Sequence, residues 1–379
     1  MRNFVMTSES VTVGHPDKLC DQISDAVVDA YLATGHRAGV IAECAIASGV
    51  VFLSIRAGAP APVDPAAIAR RVLAEAGYAP GDQARPPTVM LDLSHGAELT
   101  EAALARGEAR HMVTAFGYAC DHAATAMPYP IHAAHRMAQA LDAARREDRL
   151  SWLSPDAQVQ IAVAFADRRP VAIKAVALTF GITGDPGQTA MEDALRDVVV
   201  VPALTGQGLE IDADTRLLVY PATGPAGPDV HSGLTGRKSA DDAYGSFIRR
   251  SGPALSGKDP SRIDRIAVYA ARQAARAAVT AGLARECEVQ LSYVVGDSEP
   301  VSVEVDTYGS GTVADATISA RIAEVFDLRV AAIAERMGLW GLPAARGGRF
   351  YRGLASYGHM GRDELYPPWE DVSLAARLA

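Results

Sequence analysis

Residues 17–32 read DKLCDQISDAVVDAYL, and residues 40–57 read VIAECAIASGVVFLSIRA. In the first stretch Leu19, Ile23, Val27 and Tyr31 fall on one face of a helix. The second is rich in β-forming residues and predicts a hairpin. A further helix is expected over 64–76, where Ala67, Ile68, Val72 and Leu73 are the apolar positions, and a strand over 88–93, TVMLDL.

The same phrase returns twice. A helix is expected from Ala133 to Arg146, then strands VQIAVAF and VAIKAVALTF around the turn Asp167-Arg168-Arg169-Pro170, a helix at 188–200 and a strand at 216–222. The third copy runs from an Ala-rich helix at 262–283 through EVQLSYVVG and VSVEVDTYG to a helix at about 314–337. An interval of roughly 120 residues is too long for a solenoid and implies repeated domains. The expected fold is α+β, with three units each made of a small antiparallel sheet and helices on one face. Their uncovered sheet faces are expected to pack on one another. Domain boundaries are expected near 100 and 225, giving units 1–100, 101–224 and 225–379; the second boundary lies in ATGPAGPDVHSG. The last 40 residues, rich in Gly, Arg and aromatics, read as an ordered irregular tail.

Composition narrows the function classes. A net charge of −9 over 379 residues and a pI near 5.5 argue against nucleic acid as a partner. No apolar run reaches the roughly 18 residues of a membrane span, and the N-terminus turns polar at once, so the expectation is a cytoplasmic protein without a membrane partner. Cys20, Cys44, Cys120 and Cys287 are scattered without CxxC spacing, which disfavours a disulfide framework or a zinc site.

Three polar clusters sit at element ends. SESVTVGHPDK, 8–18, gathers His15, Asp17 and Lys18 at a helix N-terminus, where anions are favoured; a proline there is also ordinary capping chemistry. SGLTGRK, 232–238, combines glycines with Arg237 and Lys238, a pattern that suits phosphate or a solvated turn. SGKDPSRIDR, 256–265, carries Lys258, Arg262 and Asp264 before a long helix. Asp17 and Asp264 open equivalent helices, and two carboxylates beside cationic loops suit a triphosphate carried by Mg²⁺.

Together the strings TSESVTVGHPDK, DQISDAVVDA, GLTGRK, SGKDPSRIDRIAVYAAR, EVQLSYVVGDSEP, FDLR and YGHMGR resemble the S-adenosylmethionine synthetases. The resemblance implies three pseudo-symmetric domains and active sites shared between two subunits of a homodimer or homotetramer. It implies attack of methionine sulfur on C5′ of ATP, followed by cleavage of the triphosphate to pyrophosphate and phosphate. By position, His15 would contact the departing oxygen, and Lys18, Arg237, Lys238 and Lys258 would hold phosphates. Asp156 would hold the ribose, Asp17 and Asp264 would bind Mg²⁺, and Glu43 would bind K⁺.

The chain departs from the family pattern in the phosphate region, at Gln158, and more widely on the acceptor side. Gln158 stands where the family has Lys, His111 and His231 where it has acidic residues, Arg56 where it has Glu, and Arg262 where it has Lys. A Gln of the same pocket falls at about Gly96. Arg in place of a carboxylate turns attraction for an ammonium into repulsion, a term of about 4 kcal/mol at 4 Å and an effective dielectric near 20. Arg56, His111 and His231 suit an anionic or uncharged acceptor, so the expected partners are ATP and either methionine or another small molecule. Triphosphate cleavage alone, or a non-catalytic nucleotide-binding relative, are the other readings of these departures.

Overall fold

Each repeat begins with an 18-residue helix in the computed structural model, which describes residues 3–35, 37–78, 87–184, 186–222 and 226–379: α1 Pro16–Ala33, α3 Tyr129–Arg146 and α5 Ile263–Thr280. The shorter α2 spans Pro65–Ala76, with Asp64 capping its N-terminus and Gly77 closing it in the left-handed conformation. Three sheets accompany them. In the first, the hairpin β2 Val40–Ala47 and β3 Val50–Ala57 is extended by β4 Thr88–His95, which runs parallel to β3 after α2. In the second, β6 Leu153–Ala166 and β7 Arg169–Ile182 form a long antiparallel pair, followed by α4 Gln188–Leu195 and by β8 Arg216–Pro221, which runs parallel to β7. The third contains β10 Glu286–Tyr293 and β11 Ser302–Asp306.

Three strands escaped the sequence reading, and each crosses between repeats. β1, Asn3–Val11, pairs with β6 of the second sheet. β5, Val113–Cys120, pairs with β10 of the third. The two-residue β9, Gly233–Leu234, pairs with β2 of the first. The hydrogen-bonded sheets therefore interleave the sequence units; the expected break at 224–225 itself lies outside the described residues. The packing is close where the exchange occurs. A Cβ at Gly117 on β5 would stand 2.0 Å from the Ala271 backbone, so only glycine lets this strand lie against α5.

Two further expectations are corrected. The predicted helix at 314–337 is broken: α6 Asp315–Val325 ends at Phe326, whose extended backbone (φ −99, ψ 122) breaks the turn, and α7 Val330–Arg336 follows. The uncovered face of the first sheet is not packed on another unit. Phe52 (45% exposed), Met90 (53%) and Leu234 (46%) stand outward there, because the helical side of the sheet already faces the core.

The centre of the molecule is polar in one respect. On α1 the apolar row Leu19, Ile23, Val27 is buried, but so is the opposite row Asp17, Asp21, Asp25, Asp29. Asp17 accepts from the backbone N–H of Leu234 (3.1 Å), and Asp21 from that of Gly236 (2.7 Å). Asp25 accepts from Gly257 N–H (2.8 Å) and takes a two-pronged pair from Arg265 on α5 (2.8 and 2.9 Å). Asp29 accepts from Tyr351 and Arg352 N–H, both at 2.9 Å. Gly257 (φ +80) must be glycine, since a Cβ would meet the Ala42 carbonyl at 2.0 Å. Because Asp25 and Arg265 are both fully buried, truncating one strands the other charge. Asp25→Ala should lower the unfolding free energy by about 3–5 kcal/mol, read from urea denaturation.

Candidate active site

The α1 carboxylates draw the glycine loop 232–238 and the lysine loop 256–265 against the same helix, and two clusters of charge result. The first surrounds the start of α1. His15 caps the helix, with Pro16 at the first position, and its Nδ1 accepts the Asp17 N–H at 3.2 Å. Burial, then Lys238, Lys18, His231 and Arg237, lower the His15 pKa to about 3. A neutral ring whose Nδ1 accepts carries its proton on Nε2, so His15 offers an N–H donor outward. Asp17 lies 3.5 Å from Arg237, and its carboxyl is raised by burial. Asp156 on β6 accepts from Gly227 N–H (3.0 Å), and burial raises it to about 6. His231 and Arg237 are exposed and Lys238 is half-buried, leaving their polar heads available to a ligand.

The second cluster surrounds the start of α5. Lys258 pairs with Asp264 at 3.3 Å, and burial lowers the lysine's pKa. Arg262 stands at the position just before α5, lies 3.9 Å from Asp264 and contacts His111 Nε2; burial, then Arg262, lower the His111 pKa. Arg110 is tied to the carbonyls of Glu98 and Ala103. Glu43 stands exposed on the outer face of β2, and its charge acts on both Lys258 and Arg262.

His15, Asp17, Asp156, His231, Arg237 and Lys238 thus gather in one place, and Glu43, His111, Lys258, Arg262 and Asp264 in another. Three expectations change. Lys18 is not free for phosphate: it is buried at 1% exposure, with its Nζ on Asp21 (3.0 Å) and Asp242. Those carboxylates hold it protonated against the burial that opposes its charge. Gln158 is likewise engaged, donating to Glu9 of the neighbouring strand β1. Arg56 is not an isolated cation, for it pairs with Glu98 at 2.7 Å.

Sequence reasoning missed Glu98, whose role depends on a turn at 97–99 that brings it to Arg56 and Arg110. It also missed Asp21, Asp25 and Asp29, although their spacing of four residues was visible. Among the described residues no group of three or more His, Cys, Asp or Glu is arranged to hold a metal ion. Asp17 and Asp264 stand in separate clusters, and a lone carboxylate in each suits a Mg²⁺ that also takes phosphate oxygens and water rather than a protein cage. No helix of the described residues is long and apolar enough to cross a membrane.

Profiles of the three S-adenosylmethionine synthetase domains match this chain in order: the N-terminal domain over 3–93, the central domain over 106–224 and the C-terminal domain over 225–371. This chain belongs to the S-adenosylmethionine synthetase family. It is 41% identical to an S-adenosylmethionine synthase of Synechococcus sp. (strain CC9902) over 99% of its own length and 98% of the relative's. It is 39% identical to one of Synechococcus elongatus and 38% identical to one of Crocosphaera subtropica, covering all of this chain and 97% of each relative. The three-unit α+β fold is the fold of this synthetase family. The His15 environment is open to direct test: the ring should stay neutral from pH 8 down to pH 4, so its ¹⁵N shifts should not titrate there, whereas an ordinary surface histidine would titrate near 6.5.

Proposed function

We propose that this chain transfers the 5′-adenosyl group of ATP to methionine sulfur, forming S-adenosylmethionine and triphosphate, which water then cleaves to pyrophosphate and phosphate. The observation that carries the reading is His15, a neutral N–H donor at a helix N-terminus, set among Arg237, Lys238 and Asp17. Methionine sulfur has no proton to lose, so the reaction needs no general base. It needs the triphosphate oxygens held and the charge on the leaving oxygen stabilised. His15 Nε2–H donates to the bridging oxygen as the C5′–O bond breaks. Arg237 and Lys238 hold the triphosphate, and Asp156 accepts from the ribose hydroxyls. Lys258 supplies charge from the second cluster. Mg²⁺ bound with the nucleotide would neutralise phosphate charge, held by Asp17 and Asp264, and Glu43 is the candidate K⁺ ligand.

The two clusters are complementary halves, and each active site is assembled from both across a homodimer. The outward apolar face of the first sheet, with Phe52, Met90 and Leu234 beside Glu43, suits a second copy of the chain. Arg56 and Glu98 decide the acceptor. Their pairing cancels the repulsion that Arg56 alone would exert, and Glu98 supplies a carboxylate for the methionine ammonium. The contact of Arg262 with His111 favours the second reading, an acceptor without an ammonium group.

Mass spectrometry of protein incubated with ATP, Mg²⁺ and K⁺ tests this directly. Methionine-dependent S-adenosylmethionine is expected; ATP consumed without that product would move the assignment to another acceptor or to triphosphate cleavage. Mixing the inactive variants His15→Ala and Lys258→Ala should restore about a quarter of wild-type activity, because one site of each mixed dimer is then intact. Absence of rescue would place both residues in a site within one subunit. Glu98→Gln should raise the KM for methionine by about tenfold while leaving kcat within about twofold.

A further inference from the structure

A cavity of about 320 Å³ lies where the end of α2, the end of α3 and the C-terminal tail meet, and it shares no residue with either charge cluster. Its wall includes Arg146, Arg349, Arg352 and Arg362, against a single acid, Glu75. Arg362 is largely occupied, donating to the Ser356 carbonyl (2.6 Å) and pairing with Glu364. Arg349 and Arg352 converge on Glu75, which also has Arg71 within 3.9 Å, so one carboxylate is shared by three guanidinium groups. Arg146 pairs through Nε with Asp142 at 2.7 Å, and neither of its terminal nitrogens has a hydrogen-bond partner among the described residues. A cation at the end of α3 is ordinary helix-terminus chemistry. That accounts for Arg146, and Arg362 has its own partners, but Arg349 and Arg352 share a single carboxylate with Arg71 and leave the cavity wall with excess positive charge.

Ser356 supplies an independent sign. It lines the same cavity at 6% exposure, and its hydroxyl has no hydrogen-bond partner among the described residues. Buried hydroxyls are normally satisfied by protein or water, and one beside excess guanidinium can turn its proton toward an anion held in the cavity. A planar guanidinium fork matches phosphate oxygens, which a hydroxyl donor can also reach.

We propose that this cavity is a second anion site that takes the phosphate group of a small ligand, with inorganic pyrophosphate the best match to its size and charge. Arg146, Arg349 and Arg352 hold the oxygens, and Ser356 Oγ–H donates to one of them. Glu75 competes with the anion for the same guanidinium groups and sets the affinity. The cavity wall also includes Val13 and Gln22; the Gln22 amide donates to the Val13 carbonyl at 2.8 Å, two residues before His15. An occupant therefore touches the loop that presents His15.

Isothermal titration of pyrophosphate, without Mg²⁺, into the full chain tests the site. Arg237→Ala/Lys238→Ala removes phosphate cations of the active site, and this variant should still bind one pyrophosphate per chain. In that background Arg349→Gln should weaken the remaining binding about tenfold, Ser356→Ala should weaken it less, and Glu75→Gln should tighten it. ATP in place of pyrophosphate separates the sources: a matching residual isotherm means that the cavity accepts a nucleotide's terminal phosphate, and none means free pyrophosphate. Complete loss of pyrophosphate binding in Arg237→Ala/Lys238→Ala would overturn the proposal. So would an isotherm indifferent to Arg349→Gln and Glu75→Gln. If wild type and the Arg237→Ala/Lys238→Ala variant bind identically, the active-site assignment fails while the second site stands.

Discussion

Asp17, Asp21, Asp25 and Asp29 carry four carboxylates into the interior along one face of α1, each held by groups more than two hundred residues further along the chain. Removing an ion from water costs several kcal/mol unless partners replace the lost hydration. Here the replacements are mostly backbone N–H groups, which have fixed positions. Burial still pushes Asp17 and Asp25 upward and takes Asp29 to about 7. The glycine loop, the lysine loop and the tail segment at 351–352 must therefore take up one arrangement around the helix, because any other leaves a carboxylate unsatisfied.

This constraint explains how a site without a general base can be built. Positioning is the main catalytic resource when the nucleophile carries no proton, and positioning requires loops that do not wander. Arg237 and Lys238, the residues proposed to hold phosphate, follow Gly236, which is tied to Asp21; Lys258 follows Gly257, which is tied to Asp25. The buried Lys18, first read as a phosphate ligand, belongs to this support, since it neutralises Asp21 and Asp242 beneath the glycine loop. His15 itself is fixed by its cap bond to Asp17 N–H, and burial keeps it neutral.

Much of this was legible in the sequence. The helix–hairpin–helix phrase located all three long helices and the main strand pairs, because periodicity reports which face of an element is buried. It said nothing of β1, β5 and β9, whose membership depends on partners in other repeats. TSESVTVGHPDK was read for its chemistry, and the strand inside it went unseen. His15, Asp17, Arg237, Lys238, Lys258 and Asp264 could be named as candidates because motifs carry them. Glu98 and the Arg56 pair were not, because a compensating charge arises from a turn and not from a motif. The four acids of α1 mark the limit most clearly: they lie opposite the apolar row, the pattern of a helix with one wet face, yet that face is buried. Periodicity cannot tell a face turned to water from one turned to backbone amides.

The exchange of strands among the three sheets bears on how the chain folds. β1 needs β6, β5 needs β10, and β2 receives β9, so no sheet is complete until a later repeat has been made. During synthesis the first repeat emerges with the edge of β2 unpaired, and it stays so until residues near 234 have emerged. Such pairing has high contact order, which slows folding and exposes edges to aggregation. The three units are therefore expected to fold together, because a chain cut at either repeat boundary would leave two fragments, each with a sheet that lacks a strand.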